Sequence, residues 1–218
     1  IDIKNNLSKG IRKASDFLMA LQLTGAYKRS SIANLQIQLP AVVIGGGLTA
    51  IDTATELLAY YPIQIEKVAE RVRSLVAEKG AEAVRAMFDD EEWGVLTVQL
   101  QHAKELEEER ALAAKEARDP KLQPLLDKWG GVSLVYRRSV LESPAYRLNH
   151  EGVQKSLEEG VRYIENLSPT EAVLDSYGHV KAMKFRRAHA PVESDDGAAP
   201  EEIELPARTV CVAAGTSP

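Results

Sequence analysis

The sequence contains little cysteine and no excess of basic residues, and both absences exclude classes of function. Cys211 is the only cysteine among 218 residues, which excludes an internal disulfide, a C-x-x-C redox pair and a cysteine-ligated iron–sulfur cluster. Because Cys211 lies in an apolar run, we expect a buried core residue and not a nucleophile. The net charge of -5 provides no basic surface for nucleic acid or anionic lipid.

Long apolar runs and clustered metal ligands are also missing. No apolar run approaches the roughly 20 residues that a membrane-spanning helix needs, and the N-terminus has no signal-peptide pattern. The histidines lie far apart, without the spacing of metal ligands, at His102, His150, His179 and His189. We therefore expect a soluble, cytoplasmic protein without a metal site. Because the chain begins at Ile1 and ends directly after a strand-like run, we expect a piece of a longer polypeptide.

The most informative segment is an apolar run that ends at three glycines and continues with helical spacing, AVVIGGGLTAIDTATE at residues 41–56. A strand that passes through a glycine turn into a helix directs backbone N–H groups and the helix dipole at one point, which suits a pyrophosphate. Gly45, Gly47 and Ala50 fit the pattern G-x-G-x-x-A, for a tight turn, close approach of the diphosphate and close helix packing. An ordinary strand-to-helix turn without a ligand is the alternative.

A second strand, Val132 to Val135, precedes Tyr136, Arg137 and Arg138. In a dinucleotide-binding fold the end of the second strand meets the adenine ribose, where arginines pair with a 2′-phosphate and an acid accepts from a free 2′-hydroxyl. The arginines therefore favour NADPH. The alternative is a pair of exposed surface charges that bind no ligand. Glu66 is a competing NAD-selecting acid if residues 63–66 form the second strand, but Ile65 fits a helical stripe better.

The remaining pattern predicts a large helical segment and a small antiparallel sheet. We expect helices over residues 6–23, from the glycines to about Tyr60 with Pro62 as its end, and then repeatedly between residues 66 and 127. A further helix is predicted over 149–159, and short strands over 172–174, 180–185 and 202–205. The predicted fold is α/β, a Rossmann-like dinucleotide-binding domain with a parallel sheet, a small antiparallel addition and a large helical insertion.

Four motifs together resemble a known family: VVIGGGLTAIDTATE, LVYRRS with SPA at 143–145, EEGVRYIENLSPTEAV, and ARTVCVAAGTSP. They are similar to the NAD(P)H-binding domain of FAD-dependent pyridine nucleotide oxidoreductases such as the glutamate synthase small (beta) subunit. The resemblance covers residues 40–58 and 131–218. It implies three parts: 1–39 as lead-in helix and linker from a flavin domain, 40–62 with 130–218 as the NADPH-binding domain, and 63–129 as a helical insertion.

The resemblance also implies the site and its partners. Pyrophosphate contacts would come from the glycine turn, the 2′-phosphate would meet the arginine segment, and the nicotinamide side would lie at the domain junction; the predicted cofactor-binding residues are Gly45, Gly46, Gly47, Leu48, Thr49, Tyr136, Arg137, Arg138, Ala214 and Gly215. NADPH would bind this fragment, while FAD would bind a flavin domain of the same polypeptide outside it. No side chain is expected to act as catalytic acid or base, so the fragment alone is expected to be inactive.

Two departures from the family pattern leave a second interpretation open. Leu48 stands where an asparagine or aspartate is usual, and the helical segment has no counterpart in the usual domain. That segment is a candidate surface for an electron-acceptor protein or an oligomer partner. The alternative function is accordingly a non-catalytic interaction module with a degenerate nucleotide site and a helical docking surface.

Overall fold

The chain forms three layers: helices, a parallel sheet and a small antiparallel sheet. The structure is a computed structural model, and it describes residues 2–187 and 202–213. The strands are β1 (Ile11–Lys13), β2 (Ala41–Ile44), β3 (Val132–Val135), β4 (Arg162–Ile164), β5 (Leu167–Leu174), β6 (Val180–Arg187), β7 (Glu202–Pro206) and β8 (Thr209–Val212). The helices are α1 (Ala14–Thr24), α2 (Leu48–Lys79), α3 (Ala81–Arg85), α4 (Asp90–Lys115), α5 (Leu122–Lys128), α6 (Pro144–Leu148) and α7 (His150–Glu158), with a 3₁₀ turn at Val140–Glu142.

The parallel sheet has the strand order β1-β8-β2-β3-β4, and every neighbouring pair in it is parallel. The three strands β2, β3 and β4 are joined by helical connections, as in a dinucleotide-binding unit. Strand β8 follows the antiparallel sheet β5-β6-β7 and returns to lie on the other side of β2. The predicted fold class, a Rossmann-like parallel sheet with an antiparallel addition and a large helical segment, is confirmed.

The side chains of β2 point alternately to the two faces of the parallel sheet, and each face packs against a different layer. Ala41 and Val43 belong to the core that faces α1 and α2, whereas Val42 and Ile44 belong to the core that faces the antiparallel sheet. All four side chains of β2 are buried because both faces of the parallel sheet are covered. The short apolar run that precedes the glycines in the sequence is therefore the central strand of the molecule.

Cys211 lies in β8 and is fully buried, as the sequence predicts. Burial raises the pKa of its thiol to about 12, so the thiolate that a nucleophile needs is not formed near neutral pH. Within residues 2–187 and 202–213, no group of three or more potential ligands among His, Cys, Asp and Glu could hold a metal ion. In the same described ranges, no helix is both long enough and apolar enough to cross a membrane.

Two helix predictions are wrong in their bounds. The segment 6–23 was expected to be one helix, but Ile11–Lys13 is strand β1, because its backbone pairs with the parallel edge of β8. Pro62 was expected to end the second helix, but α2 continues through it to Lys79. The missing N–H of Pro62 costs one helical hydrogen bond, and burial of the surrounding turns offsets that loss: Tyr60, Tyr61 and Ile65 are almost fully buried.

Helix α2 therefore also contains the segment that could have been a second strand. Residues 63–66 are helical, and Glu66 forms ion pairs with Arg29 at 2.9 Å and Arg110 at 2.7 Å. The competing NAD-selecting strand does not exist in this fold, and β3 is the neighbour of β2. The helix ends at Lys79, and Gly80 follows it with φ 83°.

Side chains in the second half of α2 form hydrogen bonds with the irregular segment between α1 and β2. Gln64 accepts a hydrogen bond from the backbone N–H of Ile37 at 2.9 Å and donates one to its carbonyl at 2.8 Å. The buried Lys67 donates to the carbonyls of Ala26 at 2.8 Å and Ala33 at 3.1 Å. These side chains satisfy backbone groups that have no strand or helix partner, so the helical segment is built into the core.

Helix α4 begins at a capping box. The Asp89 side chain accepts from the N–H of Glu92 at 2.8 Å, and the Glu92 side chain accepts from the N–H of Asp89 at 3.0 Å. Its middle turns pack on α2, where the Tyr61 hydroxyl lies 2.7 Å from Nδ1 of His102. The His102 ring stacks on Trp129 with a centroid distance of 4.5 Å, which ties α2, α4 and the end of α5 together.

The carboxylate of Glu105 accepts a hydrogen bond from this aromatic cluster. We therefore expect the stability of the fold to depend on pH. The hydrogen bond from the Trp129 indole at 2.8 Å is the largest cause that lowers the pKa of Glu105 to about 2, and Lys128 at 3.0 Å adds to it. A carboxyl with a lowered pKa stabilises the fold above its unfolded pKa near 4.5, and the stability is lost as pH falls towards about 2.

We expect Glu105→Gln to lower the free energy of unfolding by about 1–2 kcal/mol at pH 7 and to flatten its decrease between pH 5 and pH 2. Urea unfolding followed by tryptophan fluorescence at several pH values measures this. Glu108→Gln is the matched control, because Glu108 is exposed on the same helix and its ion pair with Lys104 is long, at 3.9 Å. An unchanged pH slope for Glu105→Gln would contradict the assignment.

Candidate functional site

The candidate site lies at the carboxyl edge of the parallel sheet, where β2, β3, β4 and β8 all end. The glycine turn leaves β2 there and enters α2, whose first residue is Leu48 and whose N-cap is Gly47. The segment with Tyr136, Arg137 and Arg138 leaves β3 at the same edge. The fold therefore brings the glycine turn and the arginine segment of the prediction together.

A side chain at each glycine of the turn would meet different surroundings. Gly45 has φ 156°, and a Cβ there would lie 2.8 Å from the carbonyl oxygen of Ala213, directly after β8. A Cβ on Gly46 would overlap the ring of Tyr136, at 2.6 Å from Cζ and closer to two other ring atoms. A Cβ on Gly47 would meet nothing within 4 Å. Only Gly47 thus faces open space where another molecule could approach.

The turn offers backbone donors that the described part of the chain does not use. Gly45 donates to Val135 at 3.0 Å, but within residues 2–187 and 202–213 the four N–H groups that follow have no acceptor: Gly46, Gly47, Leu48 and Thr49. Gly47 supplies no side-chain cap either. Unpaired N–H groups and the positive end of a 32-residue helix together attract an anion at this point.

Other predicted features of the helix start are also present. Ala50 is fully buried, which allows close packing of the first turn of α2 on the sheet. Leu48 is 39% exposed and has no polar group to offer a ligand. Its backbone N–H remains one of the four unpaired donors. The site at this position therefore depends on backbone groups.

The arginine segment is anchored by its backbone and leaves its two guanidinium groups in solvent. Tyr136 donates to Ile164 at 2.9 Å, and the carbonyl of Arg138 accepts from Asn166 at 3.4 Å. The side chains of Arg137 and Arg138 are exposed and have no hydrogen-bond or ion-pair partner in the described ranges of the chain. Two positive charges at the end of β3 are thus available to a negatively charged group.

Glu165 fixes the same segment and was missed by the sequence reasoning. It follows β4, and its carboxylate accepts from the Ser139 hydroxyl at 3.0 Å and from the backbone N–H of Val140. The next part of the connection touches the glycine turn, since Ala145 donates to the carbonyl of Gly46 at 3.1 Å. The position of Glu165 at a strand end was the only signal in the sequence, because its partners lie 25 and 26 residues earlier.

The last two predicted cofactor-binding residues, Ala214 and Gly215, lie outside the described residues. The chain reaches the site just before them, because Ala213 donates to the carbonyl of Ile44 at 2.8 Å. The contact between Ala213 and the Gly45 position places the end of β8 beside the glycine turn. Three chain segments thus converge at the carboxyl edge, after β2, β3 and β8.

Comparison with known protein families and sequences gives little further information. No protein-family model matches the chain. An uncharacterized protein of Rickettsia prowazekii (strain Madrid E) is 36% identical over 185 residues, which cover 85% of this chain and 24% of that protein. The chain thus spans about a quarter of the length of this curated relative.

Comparison with solved structures finds likeness to oxidoreductases. Mycobacterium tuberculosis FprA in complex with NADPH is 15% identical with a TM-score of 0.44, covering 98% of this chain and 46% of that chain. T. acidophilum thioredoxin reductase is 14% identical with a TM-score of 0.37, covering 80% of this chain and 30% of that chain. At these identities and TM-scores the likeness carries no weight for function, and the site is assigned from the geometry of this chain.

Proposed function

We propose that this chain binds NADPH as the dinucleotide-binding part of a FAD-dependent oxidoreductase similar to the glutamate synthase small subunit. The observation that carries the proposal is the shared edge of the sheet. Among the residues that the structure describes, N–H groups without an acceptor follow one strand there, and two arginines without a partner follow the next. Diphosphate and 2′-phosphate are the two anionic groups of NADPH. The family-level part of the proposal rests on the four sequence motifs.

The residues of the site fit the anionic parts of such a dinucleotide. The diphosphate would lie at Gly47, where no side chain blocks its approach, and would accept from the N–H groups of Leu48 and Thr49. Arg137 and Arg138 would pair with the 2′-phosphate beyond the end of β3. Ala214 and Gly215 would lie on the nicotinamide side, next to the flavin domain.

The chemistry of the reaction would come from the cofactors. NADPH, if bound here, would supply the hydride-donating chemistry, with a flavin in another domain of a longer protein as the proposed acceptor. The residues of this chain bind and orient the dinucleotide by backbone donors and positive charge, and no side chain of the site is assigned a catalytic role. The fragment alone would therefore bind NADPH without turnover.

A titration of the chain with NADPH and with NADH by calorimetry, at one fixed moderate ionic strength, tests the proposal. We expect measurable binding of NADPH and at least tenfold weaker binding of NADH, because two charge-assisted contacts are lost without the 2′-phosphate. Equal affinity for the two dinucleotides would contradict the role of the arginines. Preferential binding of NADH would contradict the proposed cofactor.

One observation favours the alternative function of an interaction module. A groove of about 470 Å³ lies between the second half of α2 and α4, with an apolar floor that includes Val72, Val76 and Leu100. The Arg73 and Glu107 side chains pair across it at 2.6 Å. The absence of binding of either dinucleotide, both to this chain and to a longer chain with its flavin domain, would favour this alternative.

A further inference from the structure

The ring of Tyr136 lies where the side chain of residue 46 would be. Gly46 has no positive φ that would itself require glycine, so the contact with the ring explains why no Cβ is present. The hydroxyl of Tyr136 makes no hydrogen bond within residues 2–187 and 202–213. The contact between the two residues is therefore one of shape, made by the ring alone.

Both backbone polar groups of Tyr136 form hydrogen bonds. Its N–H donates to Ile164 in β4 at 2.9 Å, and its carbonyl accepts from Leu167 in β5 at 3.1 Å. Gly46 is held a second time, because its carbonyl accepts from Ala145 at 3.1 Å. Gly46 thus contacts the ring of Tyr136 and is hydrogen-bonded to the start of α6.

Little free volume remains behind the turn into which it could shift. The cavity there measures about 10 Å³ and is lined by Gly46, Tyr136, Ser143, Tyr163 and their neighbours. Such a cavity is too small for a side chain to rearrange within it. Because Gly46 is the first of the four residues with unpaired N–H groups, its position sets the direction of the donors that follow.

We propose that Tyr136 is a positioning residue for the diphosphate cradle, acting through Gly46, an inference that rests on the proposed binding of a dinucleotide. The ring would keep the turn in the conformation that presents the N–H groups of Leu48 and Thr49 to the proposed diphosphate. Because Arg137 follows Tyr136 directly, one short segment sets the cradle and carries the charge for the 2′-phosphate. The two functions are separable by mutation.

Tyr136→Leu, compared with Tyr136→Phe, tests the positioning role. We expect Tyr136→Leu to weaken NADPH and NADH by the same factor, about tenfold, because both ligands contain the diphosphate. Tyr136→Phe keeps the ring and is expected to bind both within twofold of the wild type. Calorimetric titration is done below the midpoint of unfolding of every variant, so that a purely structural loss of stability leaves the dissociation constants unchanged.

A second substitution provides a rescue that a structural role does not predict. Gly46→Ala places a methyl group into the ring of Tyr136 and is expected to weaken both dinucleotides at least tenfold. In the Tyr136→Leu background the methyl group fits the space left by the ring, so Gly46→Ala is expected to restore part of the affinity. If the loss of affinity in the double variant equals the product of the losses in the two single variants, the proposal is overturned.

The outcomes separate this inference from the proposed function. If neither the wild-type chain nor a longer chain with its flavin domain binds either dinucleotide, the proposed function fails and the positioning role fails with it. If the wild type binds and Tyr136→Leu binds equally well, only the positioning role is overturned. If Tyr136→Leu changes the ratio of NADPH to NADH affinity, the ring acts on the 2′-phosphate region and the cradle assignment is overturned.

Discussion

Replacement of Arg137 and Arg138 together by alanine is expected to weaken NADPH binding about 100-fold, or about 2.7 kcal/mol, while NADH binding changes less than about threefold. The reason is that both guanidinium groups are exposed at the end of β3 without partners in the described ranges, so their removal costs only the contacts to a 2′-phosphate. Parallel calorimetric titrations with the two dinucleotides measure the effect. Stability should be almost unchanged.

The matched control removes two positive charges that are not part of the candidate site. Lys79→Ala with Lys115→Ala changes the net charge equally, at the ends of α2 and α4. This control should alter both affinities slightly and to a similar extent, through long-range charge. An equal loss of NADPH and NADH binding in the arginine variant would mean that the arginines do not meet the 2′-phosphate.

Gly47→Asp is expected to have opposite effects on stability and on binding. Gly47 is the N-cap of α2 with φ -97° and ψ 175°, which any residue adopts, and it makes no side-chain cap. Aspartate there would accept from the free N–H groups and stabilise the fold by about 0.5–1 kcal/mol. Its carboxylate would occupy the diphosphate position, so dinucleotide affinity should fall at least about 100-fold.

Gly47→Ser is the control that separates capping from charge. Its hydroxyl caps the helix without a negative charge, so stability should rise while binding falls only about tenfold. Urea unfolding and calorimetry on the same preparations measure both quantities. A Gly47→Asp variant that still binds NADPH like the wild type would show that the diphosphate does not lie at the start of α2.

The central part of the fold was predictable because local signals agree with tertiary structure there. The run before the glycines is apolar throughout and becomes β2, which is buried on both faces. The strand character of Ile11–Lys13 was not predictable, since three residues become a strand only through pairing with β8, about 200 residues later in the chain.

Pro62 shows a different limit of sequence reasoning. Proline is a strong local signal for the end of a helix, but the packing of Tyr60, Tyr61 and Ile65 against the rest of the core outweighs the lost hydrogen bond. In the candidate site, the sequence predicted the glycine turn from its spacing and the arginines from their position after a strand, and their role in binding stays a prediction. The hydrogen bonds of Glu165 and the contact of the Tyr136 ring with Gly46 were not predicted, because both join residues far apart in sequence.

The continuity of α2 affects how the chain can be divided. At about 1.5 Å per residue, its 32 residues extend about 48 Å from the glycine turn to Gly80. Its second half, with Gln64 and Lys67, supplies the hydrogen-bond partners of backbone groups between Ala26 and Ile37. A version of the protein in which α2 ends at residue 62 would leave those backbone groups without partners, so shortening the chain requires a redesigned linker before β2 as well as a new helix end.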